Sequence, residues 1–114
     1  MSKLIEKPWG SEEILELNGK YCMKRLMMKE GHQCSLQYHQ LKHETFIVLS
    51  GKLLFSYGAS ASKLTHMEML PGQHYTVPPM MVHRMKALED SIYLEASTPE
   101  LSDVVRLEDS YSRK

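Results

Sequence analysis

Nine short segments that read as β-strands, each closed by a turn, leave this chain few folds to choose from. They are Glu12–Leu17, Tyr21–Met28, Cys34–Tyr38, Glu44–Leu49, Lys52–Tyr57, Leu64–Leu70, His74–Val77, His83–Ala87 and Ser91–Ala96. Between them stand Asn18-Gly19, Glu30-Gly31, Ser50-Gly51, the run Gly58 to Ser62, Pro71-Gly72 and Glu89-Asp90, residue types that favour turns over ladders. Short strands at near-even spacing predict an all-β sandwich or barrel. The one helical candidate, Pro99–Asp103, has room for a single turn.

Strand side chains alternate between faces, so the apolar positions say which face is buried. His83, Met85 and Ala87 share a face, as do Glu44, Phe46 and Val48, and both sets are expected inside. The opposite faces, with Thr45, Ile47 and Leu49 and with Leu36 and Tyr38, are also apolar. A sheet apolar on both sides is covered on both sides. In 114 residues the second cover is expected to be another copy of the chain, giving a homodimer. In Tyr21–Met28, Lys24 alternates with Cys22, Leu26 and Met28, and Arg25 with Tyr21, Met23 and Met27. One of these two cations therefore enters the interior. Snorkelling to solvent is the ordinary outcome; an anionic partner, Glu44 or a bound phosphate, is the alternative.

The length fits one domain, 1–114, with a real core. Fourteen basic and 14 acidic residues give no net charge, which argues against nucleic acid or an anionic membrane as partner. No apolar run approaches the ~20 residues of a membrane span. The first residues, Met-Ser-Lys-Leu-Ile-Glu-Lys-Pro, lack an apolar signal core, so a cytoplasmic protein is expected, with Cys22 and Cys34 reduced.

Gln37, His39, Glu44 and His83 carry the chemistry. Gln37 and His39 are two apart and point to one face of a strand; Glu44 opens the next strand; His83 ends the run Gly72-Gln-His-Tyr-Thr-Val-Pro78-Pro-Met-Met-Val-His83. One amide oxygen, two imidazoles and one carboxylate make a mixed nitrogen and oxygen donor set. It suits one divalent metal, zinc ahead of manganese, iron or nickel, and lacks the thiolates of a structural zinc cage. Four buried polar side chains satisfied by local hydrogen bonds would be the plainer explanation. A His39–His43 pair on a helix is disfavoured by the strand signal in Phe46–Leu49.

The spacing Gly31, Gln37-x-His39, Glu44, Gly51, followed by Gly72, Pro78 and His83, resembles the cupin superfamily, with glutamine at the usual first histidine. Met80 stands where glycine is usual, and Ala87 where asparagine is. Lys7-Pro-Trp-Gly10, Lys24-Arg25, Ser35 to His39, Ile47 to Gly51, Val82-His-Arg84 and Val105-Arg-Leu-Glu-Asp109-Ser-Tyr111-Ser-Arg113 fall in the order seen in one branch. They are similar to the C-terminal isomerase domain of type II phosphomannose isomerases, which also carry a mannose-1-phosphate guanylyltransferase domain. The resemblance implies a double-stranded β-helix, the cupin jelly-roll barrel, and a zinc-type site on Gln37, His39, Glu44 and His83. Departures lie at Lys42, where the family has arginine, and at Thr45, where it has histidine.

The function so implied is isomerisation of a sugar phosphate such as mannose 6-phosphate. Lys24 and His43 are the candidates to move the proton, and Lys42, Arg106 and Arg113 are candidates to hold the phosphate. Arginine suits that task through paired N–H donors. Two other readings stand beside it: a non-catalytic sugar or sugar-phosphate binding cupin, and a metal-dependent dioxygenase-type cupin.

Overall fold

The computed structural model describes residues 3–111, and among them are eleven strands and no helix. The strands are β1 (Lys3–Lys7), β2 (Gly10–Leu17), β3 (Cys22–Met28), β4 (Leu36–Tyr38), β5 (Glu44–Ser50), β6 (Leu53–Gly58), β7 (Thr65–Met69), β8 (His74–Val77), β9 (Val82–Ala87), β10 (Ser91–Ser97) and β11 (Val105–Glu108). Two antiparallel sheets form. One has six strands in the order β1-β2-β3-β10-β5-β8, the other five in the order β11-β4-β9-β6-β7. This is the jelly roll that the strand spacing and the cupin resemblance predict.

The nine expected strands are all present, with no end moved by more than two residues. The helical candidate is instead a turn, closed by the Asp103 N–H on the Glu100 carbonyl. Strands β1 and β11 were not expected. Each is short, charged and at the edge of its sheet, so the ladder it joins, rather than its own residues, makes it a strand.

The period of two decides the core. Along β3 and through the first five residues of β5, buried and exposed residues alternate without a break. Leu26, Met28, Phe46, Val48 and Tyr93 from the larger sheet meet Leu53, Phe55, Met69, Met85 and Ala87 from the smaller one. Phe46 and Phe55 meet across the gap with their rings tilted by 59° and their centres 4.9 Å apart. Burying such side chains contributes roughly 1.5–3 kcal/mol each.

Two backbone positions matter for the site. Gly51 turns β5 into β6 at φ 89°, where a Cβ would run into Ser91 and the Asp90 carbonyl. Met80 adopts φ 72° without being glycine, and its N–H donates 2.7 Å to the His39 carbonyl. It thus adopts, at a cost of roughly 1–2 kcal/mol, a left-handed turn that ordinarily favours glycine.

Candidate metal centre

The inner face of the five-stranded sheet brings three of the expected ligands close together. Gln37 on β4 sits directly opposite His83 on β9, and His39 follows β4. Glu44 comes from the other sheet, at the first residue of β5. His39, Glu44 and His83 are each buried, and one ligand atom from each lies within 4.8 Å of the others. Glu44 Oε1 is 3.3 Å from His39 Nε2 and 3.2 Å from His83 Nε2. Gln37 lines the same cavity, its Oε1 accepting a 2.8 Å hydrogen bond from Ser35.

The proton inventory of the rings is fixed by their other nitrogens. His39 Nδ1 lies 2.6 Å from the Asp103 carbonyl and His83 Nδ1 lies 3.0 Å from the Met81 carbonyl. A carbonyl only accepts, so both Nδ1 atoms donate. Each Nε2 is then a lone pair aimed at a carboxylate, and His39 Nε2 is buried with no hydrogen-bond partner. Protonating both Nε2 atoms instead would put two imidazolium ions in a buried cluster. One divalent cation among His39, Glu44 and His83, with Gln37 at hand, satisfies all these acceptors, and the Nδ1 partners orient the rings as they do in metalloproteins. The donor set therefore fits a divalent metal.

Beside the ligands stands a charged wall that the sequence reveals only in part. Lys24 is buried and faces inward, its Nζ 3.3 Å from Glu12 Oε1. Arg25 faces outward and pairs with Glu13 at 2.7 Å. Lys42 is buried with its Nζ 3.5 Å from both Glu44 and Glu95. Burial works against the Lys42 charge, but Glu95 and Glu44 outweigh it and hold the ammonium above its ordinary range. Glu95 is pushed up to about 8, first by burial and then by the neighbouring Glu44. Burial also opposes ionisation of Glu44, yet its ring contacts, Glu95 and Lys42 keep its carboxyl well below the usual range. The charged carboxylate is the form held at Glu44, and it is the form that a cation binds.

Glu12, Glu95 and Asp103 were missed at the sequence level. Glu95 had a signal: it alternates with Tyr93 on the inward face of β10, one acid among Ser91, Tyr93 and Ser97. Asp103 had none, since it acts through contacts to a loop far from it in sequence. Arg106, on β11, lines the cavity and pairs in register with Gln37. His43 is exposed and is not among the residues lining the cavity, so the structure does not bring it to the site. Arg113 lies outside the described residues. The cavity itself holds about 270 Å³, and its lining also includes Ile5, Lys7, Leu101, Val104 and Arg106.

Comparison with known proteins bears on the family and the fold. The xanthan biosynthesis protein XanB of Xanthomonas campestris is 30% identical over 96% of this chain, which spans 23% of that relative's length. The capsular polysaccharide assembling protein CapF of Staphylococcus aureus superposes with a TM-score of 0.81 at 16% identity, covering 95% of this chain and 34% of CapF. An oxalate decarboxylase of Bacillus subtilis, a protein with Mn(II) centres, superposes at 0.78 and 21% identity, covering 92% of this chain and 30% of that one. Both structural likenesses concern the fold. The family described as mannose-6-phosphate isomerase C-terminal matches residues 1–109. The chain accordingly belongs to the family of mannose-6-phosphate isomerase C-terminal domains, built as a cupin jelly roll.

Proposed function

We propose that residues 1–114 form one cupin domain that isomerises a phosphorylated sugar between aldose and ketose at a divalent metal, zinc ahead of manganese, iron or nickel. One observation carries this reading. Two imidazole lone pairs and a carboxylate converge inside a cavity of monosaccharide size, beside a wall of charged groups that can exchange hydrogen bonds with hydroxyls. When bound, the metal would supply Lewis-acid stabilisation of negative charge on a substrate oxygen. The residues that would hold it are Gln37, His39, Glu44 and His83. Lys42 and Glu95 would orient hydroxyls. Lys24, next to Glu12 in the cavity, is a candidate to carry the proton between C1 and C2; the exposed His43 is not. Sugar phosphates do not cross bilayers, which is the ground for assigning the chain to the cytoplasm. None of the described residues forms a helix long and apolar enough to cross a membrane.

The test is metal analysis of the purified protein, followed by a sugar-phosphate panel in deuterated water read by NMR. Exchange of the C2 proton with appearance of the ketose supports the reading. Binding without exchange would replace it by a non-catalytic sugar-phosphate binding cupin. Oxygen consumption with an iron-loaded protein would replace it by dioxygenase chemistry.

We further infer a homodimer through the outer face of the six-stranded sheet. Met23, Met27, Ile47 and Leu49 are 37–48% exposed there, and Leu94 stands in register between Arg25 and Ile47. Leu36, expected on a face needing cover, is already buried within the single chain.

A further inference from the structure

The two oxygens of Glu44 face different partners. Oε1 lies 3.3 Å from His39 Nε2 and 3.2 Å from His83 Nε2, whereas Oε2 lies 3.5 Å from Lys42 Nζ. A carboxylate can give a cation one oxygen or both. Here the oxygen beside the imidazoles is placed to coordinate, and the other already accepts from an ammonium group.

Lys42 is built into this position. It is 5% exposed, and its Nζ stands 3.5 Å from Glu95 Oε2 as well as from Glu44 Oε2. Register sets the second acid beside the first. Ser97 pairs with Glu44, and Glu95 lies two residues back on the same face of β10. The main chain is held on both sides. The Lys42 N–H donates to the Asp103 carboxylate across 2.8 Å, and the His43 N–H donates to Thr98 Oγ1 across 3.0 Å. The Thr98 N–H returns a 3.0 Å bond to the His43 carbonyl. A lysine ordinarily carries its charge out to water; this loop and the two acids hold it inside.

We propose that Lys42 is a positioning residue that restricts Glu44 to coordination through one oxygen, and so keeps a position on the metal open to ligands. It rests on the metal centre proposed above and not on the identity of the substrate. For Glu44 to chelate with both oxygens, Oε2 would have to leave a buried ammonium that has two carboxylates to face. The metal and the ammonium also repel each other, which favours one cation on each oxygen. With Gln37, His39, Glu44 and His83 giving one atom each, an ion of roughly six positions keeps about two for neighbouring sugar oxygens. Chelation by Glu44 would leave about one. Lys42 is thereby assigned to Glu44 and not to a substrate anion, with one of its three N–H groups left for a hydroxyl.

The experiment loads the purified chain with zinc and, separately, with manganese. Glutamate labelled at its side-chain carboxyl carbon marks the bound carboxylate in the infrared difference between loaded and metal-free protein. A wide separation of its two stretching bands means coordination through one oxygen, and a narrow separation means both. The parent and Lys42→Arg should show the wide separation, and Lys42→Met the narrow one. The water relaxivity of the manganese form should fall by about half in Lys42→Met, as one of two labile waters is lost. Metal affinity in Lys42→Met should rise by about threefold or more, because a cation beside the ion is gone; a merely structural role would weaken it. A wide separation retained in Lys42→Met would overturn the proposal. If that variant does not fold, the parent still decides: a narrow separation there overturns the proposal, and a wide one in both the parent and Lys42→Arg supports it. A parent that binds no metal removes the metal centre and this role together, whereas metal held through both oxygens removes only the role of Lys42.

Discussion

His39 Nδ1 donates to the main-chain carbonyl of Asp103 across 2.6 Å, and the Asp103 carboxylate accepts from the N–H groups of Gln40, Leu41 and Lys42 at 2.7–3.0 Å. One residue therefore fixes both the tautomer of a candidate metal ligand and the loop that delivers Lys42. Those N–H groups, Leu41 first, hold the Asp103 carboxyl below its ordinary range. Asp103→Ala should lower stability and weaken metal binding by about tenfold, with Asp103→Asn in between. Urea unfolding and competition with a chromogenic chelator measure the two effects. A metal affinity unchanged in Asp103→Ala would detach the loop from the site.

His39→Ala and His83→Ala should each lose most of the bound metal, because each removes one imidazole from a cluster whose three ligand atoms lie within 4.8 Å of one another. Gln37→Ala should lose less, since a neutral amide oxygen is the weakest donor of the four. Elemental analysis after dialysis gives the order. A parent protein that never holds about one metal per chain, after reconstitution with zinc, manganese, iron or nickel, would reject the metal centre.

Lys42 lies between two carboxylates, so removing it leaves Glu44 and Glu95 facing each other without a cation. Lys42→Met is expected to destabilise by about 3 kcal/mol. The double substitution with Glu44→Gln should cost less than Lys42→Met alone, because the second change removes the stranded charge. Additive losses in denaturant unfolding would mean that Lys42 and Glu44 are not coupled.

Burial lifts the Cys34 thiol to about 11. The unfolded chain releases this proton near its ordinary 9.0, before the folded one does. The stabilisation from the neutral thiol is thus complete below pH 9 and is lost as pH rises through about 11, a difference of roughly 2–3 kcal/mol. The stability gap between parent and Cys34→Ala should shrink across that window. Iodoacetamide should label Cys34 slowly at pH 8 in the folded protein and readily in denaturant. Rapid labelling of the native chain at pH 8 would contradict the shift.

Ile47→Lys or Leu94→Glu should convert the expected homodimer to a monomer without loss of fold, since Ile47 is already 37% exposed in the single chain. Light scattering across micromolar concentrations reads the mass. A parent protein that is monomeric throughout that range removes the dimer.

The cupin spacing and the strict period of two make most of this protein legible in its amino-acid order. They place Phe46, Val48 and Met85 in the core and put His39, Glu44 and His83 on inward positions, because strand geometry ties sequence parity to a face. The same rule, carried one step back from β5, puts Lys42 inside with Glu44 and His43 outside, as observed. Parity says which face, however, and never which partner. That Lys24 meets Glu12, that Lys42 meets Glu95, and that Asp103 grips His39 depend on which strands become neighbours and which loops return, and these contacts join residues far apart in the chain. Strands β1 and β11 belong to the same class. Their residues alone do not specify strands; pairing with β2 and β4 creates them, and only that pairing brings Lys7 and Arg106 into the lining of the cavity.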